Sequence, residues 1–355
     1  MRRKTITALL LFTIIVLVAA PSVTVSAKPQ GFLSTKGTWI VDEKDQIVLL
    51  RGVNYPGYDA QEPNGGIRLH RENAYRTLAR MGLNVVRLPI SWAMLEPEPG
   101  AFNIRYLKWY VDRDVQWAKK YGLYIVLDMH QYYWADKFGG SGVPGWIVKG
   151  YSSNKEGMQQ AISDFWANSS LQDHLLQTWR KIAQYYATES TIAGYDILNE
   201  PWIYTCVYPE LNGAHVDAFY TNGIATIRSV DSKHIIFLEP ANMNTYKLPI
   251  RENIVWSPHF YPLAFASQYN PENIKVLEAD LAAKYRKFVV EIGTPMWIGE
   301  FGAFMKDNSR LEWLQDAVTL FEKYQVGWAW WAFDGKGGFT KTPSPLLVLA
   351  TSISS

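Results

Sequence analysis

From residue 50 onward a short apolar, β-rich run that ends in polar or charged residues recurs eight times, at 50–55, 85–91, 124–130, 192–200, 235–239, 254–261, 295–301 and 327–334. Segments with helical periodicity fill most of the gaps between them. Strand patterns alternating with helical ones build βαβ units, and eight parallel strands close on themselves. The expected fold class is therefore α/β, a (β/α)8 TIM barrel.

The helical segments carry the spacing that a barrel wall demands. Ala74, Leu78 and Met81 share one face, as do Val216, Tyr220, Ile224 and Ile227, and again Leu314, Ala317, Val318 and Phe321. Ahead of the first run, residues 37–41 and 46–49 flank a polar turn at 42–45 and predict a β-hairpin that plugs the bottom of the barrel. Two stretches break the regularity. Residues 241–253 leave room for only a short fifth helix, and the 21 residues after Asp334 are not amphipathic over 343–355. Either something irregular replaces the eighth helix, or the chain stops short of its natural C-terminus. No low-complexity linker or charge block follows residue 28, so residues 28–355 read as a single catalytic domain.

Residues 1–27 have the three parts of a secretory signal: Arg2, Arg3 and Lys4, an apolar stretch over 8–20, and the small residues Val25-Ser26-Ala27. Thirteen largely apolar residues fall short of the ~20 that span a bilayer, so cleavage before Lys28 and a secreted product are expected, with no stable membrane anchor. Removing the signal takes Lys and Arg from 35 to 32 against 33 Asp and Glu, a net charge of −1 that argues against nucleic acid as a partner. Cys206 is the single cysteine, which rules out an intrachain disulfide and reads as a small buried hydrophobe. The 15 Trp and 21 Tyr fit either an aromatic core or a surface that stacks on sugar rings. A monomer is expected.

In a barrel enzyme the working groups sit at the C-terminal strand ends and in the loops that follow. Here the runs end near Arg87, at Asp128-Met129-His130, at Asn199-Glu200, at His259-Phe260-Tyr261, at Glu300 and at Trp330-Trp331. A carboxylate in an apolar strand is costly unless paired or functional. A buried salt bridge to Arg87 accounts for one such glutamate more easily than for both Glu200 and Glu300. Two carboxylates across a cleft suit glycosidic cleavage, where one protonates the leaving oxygen and the other faces the anomeric carbon.

The ordered set Arg87-Leu88-Pro89, Asp128-Met129-His130, Asn199-Glu200-Pro201, His259-Phe260-Tyr261, Gly299-Glu300-Phe301-Gly302 and Trp330-Trp331 resembles glycoside hydrolase family five, over roughly residues 37–334. That resemblance implies a retaining β-glycosidase with Glu200 as acid/base and Glu300 as nucleophile. It further implies that Asn199 bonds the sugar 2-hydroxyl, Arg87 keeps Glu300 charged, and His130, His259 and Tyr261 line the subsite. Trp331 aligns with the family's platform tryptophan.

Other chemistries find less footing. The six histidines lack His-Glu-x-x-His spacing, so no metal or cofactor is expected. The glycine-rich 138–145 segment lacks the Gly-Lys-Ser/Thr ending of a phosphate loop, and reads as a mobile substrate-side loop or an ordinary turn. Residues 168–170 form a glycosylation sequon. A barrel that binds carbohydrate without cleaving it would have lost one glutamate, and both are present. For substrate, an endo-acting, cellulase-like β-glucanase is expected, with a β-mannanase as an alternative. A second alternative comes from the stretch 130–140 with Asn199-Glu200-Pro201-Trp202 and Glu300-Phe301-Gly302-Ala303, which is similar to the endoglycoceramidase branch. That branch usually has Asp after its His-Gln, where this chain has Tyr132.

Overall fold

The computed structural model describes residues 31–59, 68–201, 213–240, 251–304 and 309–334. The signal segment, Cys206, most of the expected fifth-helix region and the C-terminal tail lie outside these residues. Among the described residues ten strands run in chain order: β1 (Ser34–Lys36), β2 (Trp39–Val41), β3 (Arg51–Asn54), β4 (Val85–Ile90), β5 (Tyr124–Met129), β6 (Ile192–Asp196), β7 (Ile235–Leu238), β8 (Ile254–Trp256), β9 (Trp297–Phe301) and β10 (Gly327–Trp330). The last eight are parallel, each beside its sequence neighbour, with β10 paired to both β9 and β3. A bridge between Trp256 and Met296, with the Trp256 amide donating to the Pro295 carbonyl over 3.0 Å, joins β8 to β9 and closes the ring. The eight runs read from sequence are these eight strands.

Alternation along the strands decides what faces the barrel axis. Val85, Tyr124, Val126, Ile235 and Phe237 form an interior cluster, while Val86, Leu88, Ile125, Leu127, Ile236 and Leu238 pack outward in the larger core under the helices. Continuing the same parity toward the C-terminal ends brings Asn54, Arg87, Asp128 and Glu239 inward, all fully buried. The helices Glu72–Arg80, Gly213–Arg228 and Ser309–Lys323 bury Leu78, Ile224 and Phe321 among others, the faces that their spacing predicted.

The hairpin differs from expectation in its pairing. β1 pairs with β2 across Gly37-Thr38, where Gly37 takes φ 59. The expected partner segment is joined by a Val41 to Ile47 bridge, with the Val48 amide donating to the Ile40 carbonyl over 2.9 Å and the Asp42 amide to the Gln46 carbonyl over 3.0 Å. Gly37 reaches the left-handed region without a Cβ penalty, so the tighter turn wins the strand ladder. Asp42 instead organises the second turn by accepting from the amides of Lys44 and Gln46 over 2.8 and 2.9 Å. The plug itself is as expected: Leu33, Ile40, Val48 and Leu50 belong to the interior cluster.

Candidate active site

Arg87 sits at the centre of the barrel's C-terminal end with no exposed surface. Its Nε donates to Asp196 over 3.0 Å, and its Nη1 to Glu300 Oε1 over 2.7 Å and to Asn54 over 3.0 Å. Nη2 donates to Asn199 Oδ1 over 3.0 Å and to Glu239 Oε1 over 2.9 Å, and Asp128 Oδ1 lies 3.0 Å away. Five strands or their immediate extensions thus converge on one guanidinium, whose planar array of five donors suits the task where a lysine's single ammonium would not. Burial works against its charge, but Asp128, Asp196, Glu300 and Glu239 hold its proton far more tightly than usual. The carboxylates divide in response. Burial pushes Asp196 well above the ordinary value despite Arg87, while Asp128, also buried, is brought below it by Arg87 and His130.

Above this floor Glu200 and Glu300 meet. Tyr261 donates its hydroxyl to Glu300 Oε2 over 2.9 Å, opposite the bond from Arg87 to Oε1. His259 Nδ1 lies 2.8 Å from Glu200 Oε1 and 3.5 Å from Glu300 Oε2. An oxygen of Glu200 and one of Glu300 lie within 4.8 Å of each other. Glu200 follows Asn199 in a left-handed backbone conformation, φ 47, and its amide donates to Glu239 Oε2 over 2.7 Å.

The two glutamates are driven in opposite directions. Burial pushes Glu300 up, against His259 and Arg87, and the neighbouring Glu200 adds to the rise. Burial also raises Glu200, but its hydrogen bond to His259 and the charges of His259, His130 and Arg87 outweigh this and leave it low. Burial lowers His259, but Glu239, Glu300 and the bond to Glu200 together lift it well above the ordinary histidine value. His259 is therefore the member of this line whose proton is held more tightly than usual, while Glu200 gives its proton up more readily. Glu300 is still best matched by its ionised form, because Arg87 has no lone pair to receive a proton and Tyr261 offers its own.

All eight residues singled out from sequence come together here. His130, Asn199, Glu200, Tyr261, Glu300 and Trp331 line a cavity of about 670 Å³, while Arg87 and His259 lie behind the lining. His259 meets the lining residues Glu200 and Glu300 from behind, at 2.8 and 3.5 Å. Trp331 stacks on His130 with ring centroids 5.1 Å apart and planes 9° from parallel, and the Trp331–Ala332 peptide is cis. Asn199 and Gln131 bond reciprocally: Asn199 Nδ2 donates to the Gln131 carbonyl over 3.1 Å, and Gln131 Nε2 to the Asn199 carbonyl over 2.9 Å. The glycine-rich segment forms a wall of the cavity, tied by Tyr132 and Ser141, whose amides each donate to the other's carbonyl over 3.1 and 2.8 Å. A Cβ on Gly140 would meet the Tyr132 carbonyl at 1.8 Å, so the close approach there demands glycine.

Asn54, Gln131, Asp196 and Glu239 were not singled out by sequence reasoning. Glu239 carried a signal, since it ends the fifth apolar run, but no neighbouring motif gave it a chemical role. Glu200, His259 and Glu300, and separately Asp128, Asp196 and Glu239, bring ligand atoms within 4.8 Å. In the second set Arg87 already supplies the cation; in the first, the groups bond one another. A larger cavity of about 850 Å³ lies between the helices Ser169–Tyr186 and Gly213–Arg228. Of the two carboxylates on its wall, the buried Glu96 is already bonded by His174, Trp92 and the Gly100 amide, and Asp173 accepts from Gln177 over 3.2 Å.

A parallel barrel that aims a hydrogen-bonded carboxyl pair into a cavity floored by aromatic and amide groups is built for splitting sugar acetals, and this molecule is an O-glycosyl hydrolase. Residues 41–337 match the model of the cellulase family, glycosyl hydrolase family 5, and the chain belongs to that family. It is 27% identical to a β-xylosidase of Phanerodontia chrysosporium, over 86% of this chain and 71% of that one. It is 24% identical to endoglucanase C of Acetivibrio thermocellus, over 74% and 83%. Among solved structures it superposes on an endogalactoceramidase with a TM-score of 0.71 at 27% identity, covering 85% of this chain and 75% of the other. As a family 5 enzyme it is a retaining glycoside hydrolase acting on carbohydrate. No helix among the described residues is long and apolar enough to cross a membrane.

Proposed function

We propose that the chain cleaves β-1,4-glucan or related oligosaccharides internally by double displacement, with Glu300 as nucleophile and Glu200 as acid/base. One observation carries the role assignment: Arg87 and Tyr261 each donate to an oxygen of Glu300, over 2.7 and 2.9 Å, while Glu200 has His259 Nδ1 at 2.8 Å; the oxygens of the two glutamates lie within 4.8 Å of each other. That spacing suits a retaining pair, whose carboxyls stand ~5–5.5 Å apart, better than an inverting pair at ~6.5–9.5 Å. Glu300, with a donor on each oxygen, attacks the anomeric carbon as the glycosidic C–O bond breaks. Glu200 passes a proton to the leaving oxygen, drawing it from His259 Nδ1 at 2.8 Å. In the second step Glu200 takes a proton from water, whose oxygen displaces Glu300 and restores the starting anomer. Trp331 stacks beneath the sugar, and Asn199, held by Arg87 and Gln131, turns its remaining amide hydrogen to the 2-hydroxyl.

The test of the roles is Glu200→Gln and Glu300→Gln on an activated aryl β-glycoside with azide added. The acid/base contributes roughly 10² to 10⁴ and matters least for a good leaving group, so Glu200→Gln keeps residual activity and azide restores it as a β-glycosyl azide. Glu300→Gln loses nearly all turnover; an active Glu300→Gln overturns the assignment.

A second substrate reading rests on one observation. Phe265 and Phe304, 72% and 49% exposed, stack 4.8 Å apart beyond Tyr261 and extend the cavity as an apolar shelf. Such a shelf suits a substrate with a hydrocarbon aglycone, a glycosylceramide among them. Hydrolysis profiles on carboxymethylcellulose, glucomannan, aryl glucosides and a glycosylceramide separate the readings, and activity confined to the glycolipid overturns the first. Secretion after cleavage at Ala27 is part of the same proposal. N-terminal sequencing of protein from the culture medium tests it, with Lys28 as the expected first residue.

A further inference from the structure

Glu239 is completely buried and reaches three members of the site at once. Its Oε2 accepts the Glu200 amide over 2.7 Å, its Oε1 accepts from Arg87 Nη2 over 2.9 Å, and the same Oε1 faces His259 Nε2 at 3.2 Å. The other ring nitrogen of His259 faces Glu200 Oε1 at 2.8 Å. A carboxylate, an imidazole and a second carboxylate therefore lie in successive contact, and the first also accepts the backbone amide of the last.

Arg87 alone does not explain a charged group at this position. It already has Asp128, Asp196 and Glu300 around it, and the first two lie with Glu239 inside 4.8 Å, where like charges repel. A glutamine has a single acceptor oxygen, so it could serve the Glu200 amide or Arg87 but not both. What an amide cannot do is put a negative charge behind His259. The amide bond matters too: Glu200 sits at φ 47, and a buried N–H without an acceptor would release it from that conformation.

We propose that Glu239 is a positioning residue for the acid/base, fixing the Glu200 backbone and holding on His259 the proton that Glu200 delivers to the leaving group. This rests on the assignment of Glu200 as acid/base. The charged and titratable groups facing His259 are Glu200, Glu239, Glu300 and Tyr261, with Asp128 and Asp196 behind them around Arg87. Taking one negative charge from this set makes the line give up its proton at lower pH.

The experiment compares wild type, Glu239→Gln, Glu239→Asp and Glu200→Gln on aryl β-glycosides with a good and a poor leaving group, with pH profiles of kcat/KM and thermal melts. Glu239→Gln is expected to lose about 10- to 100-fold more on the poor leaving group than on the good one, and its basic limb is expected to move to lower pH. Glu239→Asp keeps the charge but shortens the reach to the amide, so it shows the unequal loss with a basic limb near that of wild type. Equal losses on both leaving groups with an unmoved limb overturn the proposal and leave Glu239 a structural residue. Should Glu239→Gln not fold, Glu239→Asp decides alone: an unequal loss supports the proposal and an equal loss overturns it. Glu200→Gln separates the two levels. If it shows no leaving-group dependence, the acid/base assignment falls and this proposal with it; if it does and the Glu239 variants do not, only this proposal falls.

Discussion

Arg87 on β4 donates from Nη1 to Glu300 Oε1 on β9 over 2.7 Å, a contact between residues 213 apart in the chain that exists only because the barrel closes. The same guanidinium holds Asp196, Glu239 and Asn199, so it orders the acid/base strand and the nucleophile strand together. Removing one partner of a buried charge cluster typically costs ~3–5 kcal/mol, because the remaining charges have no solvent to fall back on. Arg87→Met is therefore expected to melt far below wild type or to fail to accumulate in soluble form. Arg87→Lys keeps a charge but loses the planar array, and it is expected to fold and to lose roughly 10²-fold or more in kcat/KM. Calorimetry and steady-state rates check this; an Arg87→Lys variant with near wild-type activity contradicts it.

His130 titrates unlike a free histidine. Burial lowers its proton affinity, but Asp128 Oδ2 at 2.8 Å from Nδ1 lifts it to about 9. A folded pKa above the unfolded value of about 6.5 means that this pair stabilises the fold fully below that pH, and its contribution fades as pH rises through about 9. Histidine side-chain NMR is expected to show His130 still protonated at pH 7.5. Asp128→Asn is expected to bring its titration down toward or below the free value. An unchanged midpoint in Asp128→Asn would show that something other than this carboxylate holds the proton.

Trp331 lines the cavity beside His130 and is only partly buried, so its removal leaves the core intact. Trp331→Ala is expected to lose about 10- to 100-fold in kcat/KM, from lost stacking and lost orientation, with a melting temperature close to wild type. Trp331→Phe is expected to recover part of it. Equal kinetics for Trp331→Ala and wild type would remove the platform role.

How much of this was legible beforehand follows from how far each feature depends on neighbours in the chain. The eight strands and the helix faces are local patterns, and Val85 to Ser91 or Leu314 to Phe321 announce themselves by spacing alone. The site residues at strand ends were legible because Glu200 and Glu300 interrupt apolar runs, where an unexplained charge is conspicuous. Glu239 interrupts a run in the same way. Its meaning lies in three contacts, with residues 39, 152 and 20 positions away, that only the closed barrel makes. Asn54 and Asp196 are silent for the same reason: each is one polar residue in a strand until Arg87 arrives from another. The hairpin was misread in pairing because a charged turn at 42–45 is more visible than the two-residue turn that Gly37 permits.

The most direct test of the two-glutamate mechanism is to trap the first step. The enzyme is incubated with an activated 2-deoxy-2-fluoro β-glycoside, which slows breakdown of a covalent glycosyl-enzyme, then digested and mapped by mass spectrometry. One fluorosugar per chain on the peptide bearing Glu300, and none in Glu300→Gln, is the expected result. A label on Glu200 or Glu239, or inactivation without any covalent adduct, would contradict the assignment of Glu300 as the nucleophile.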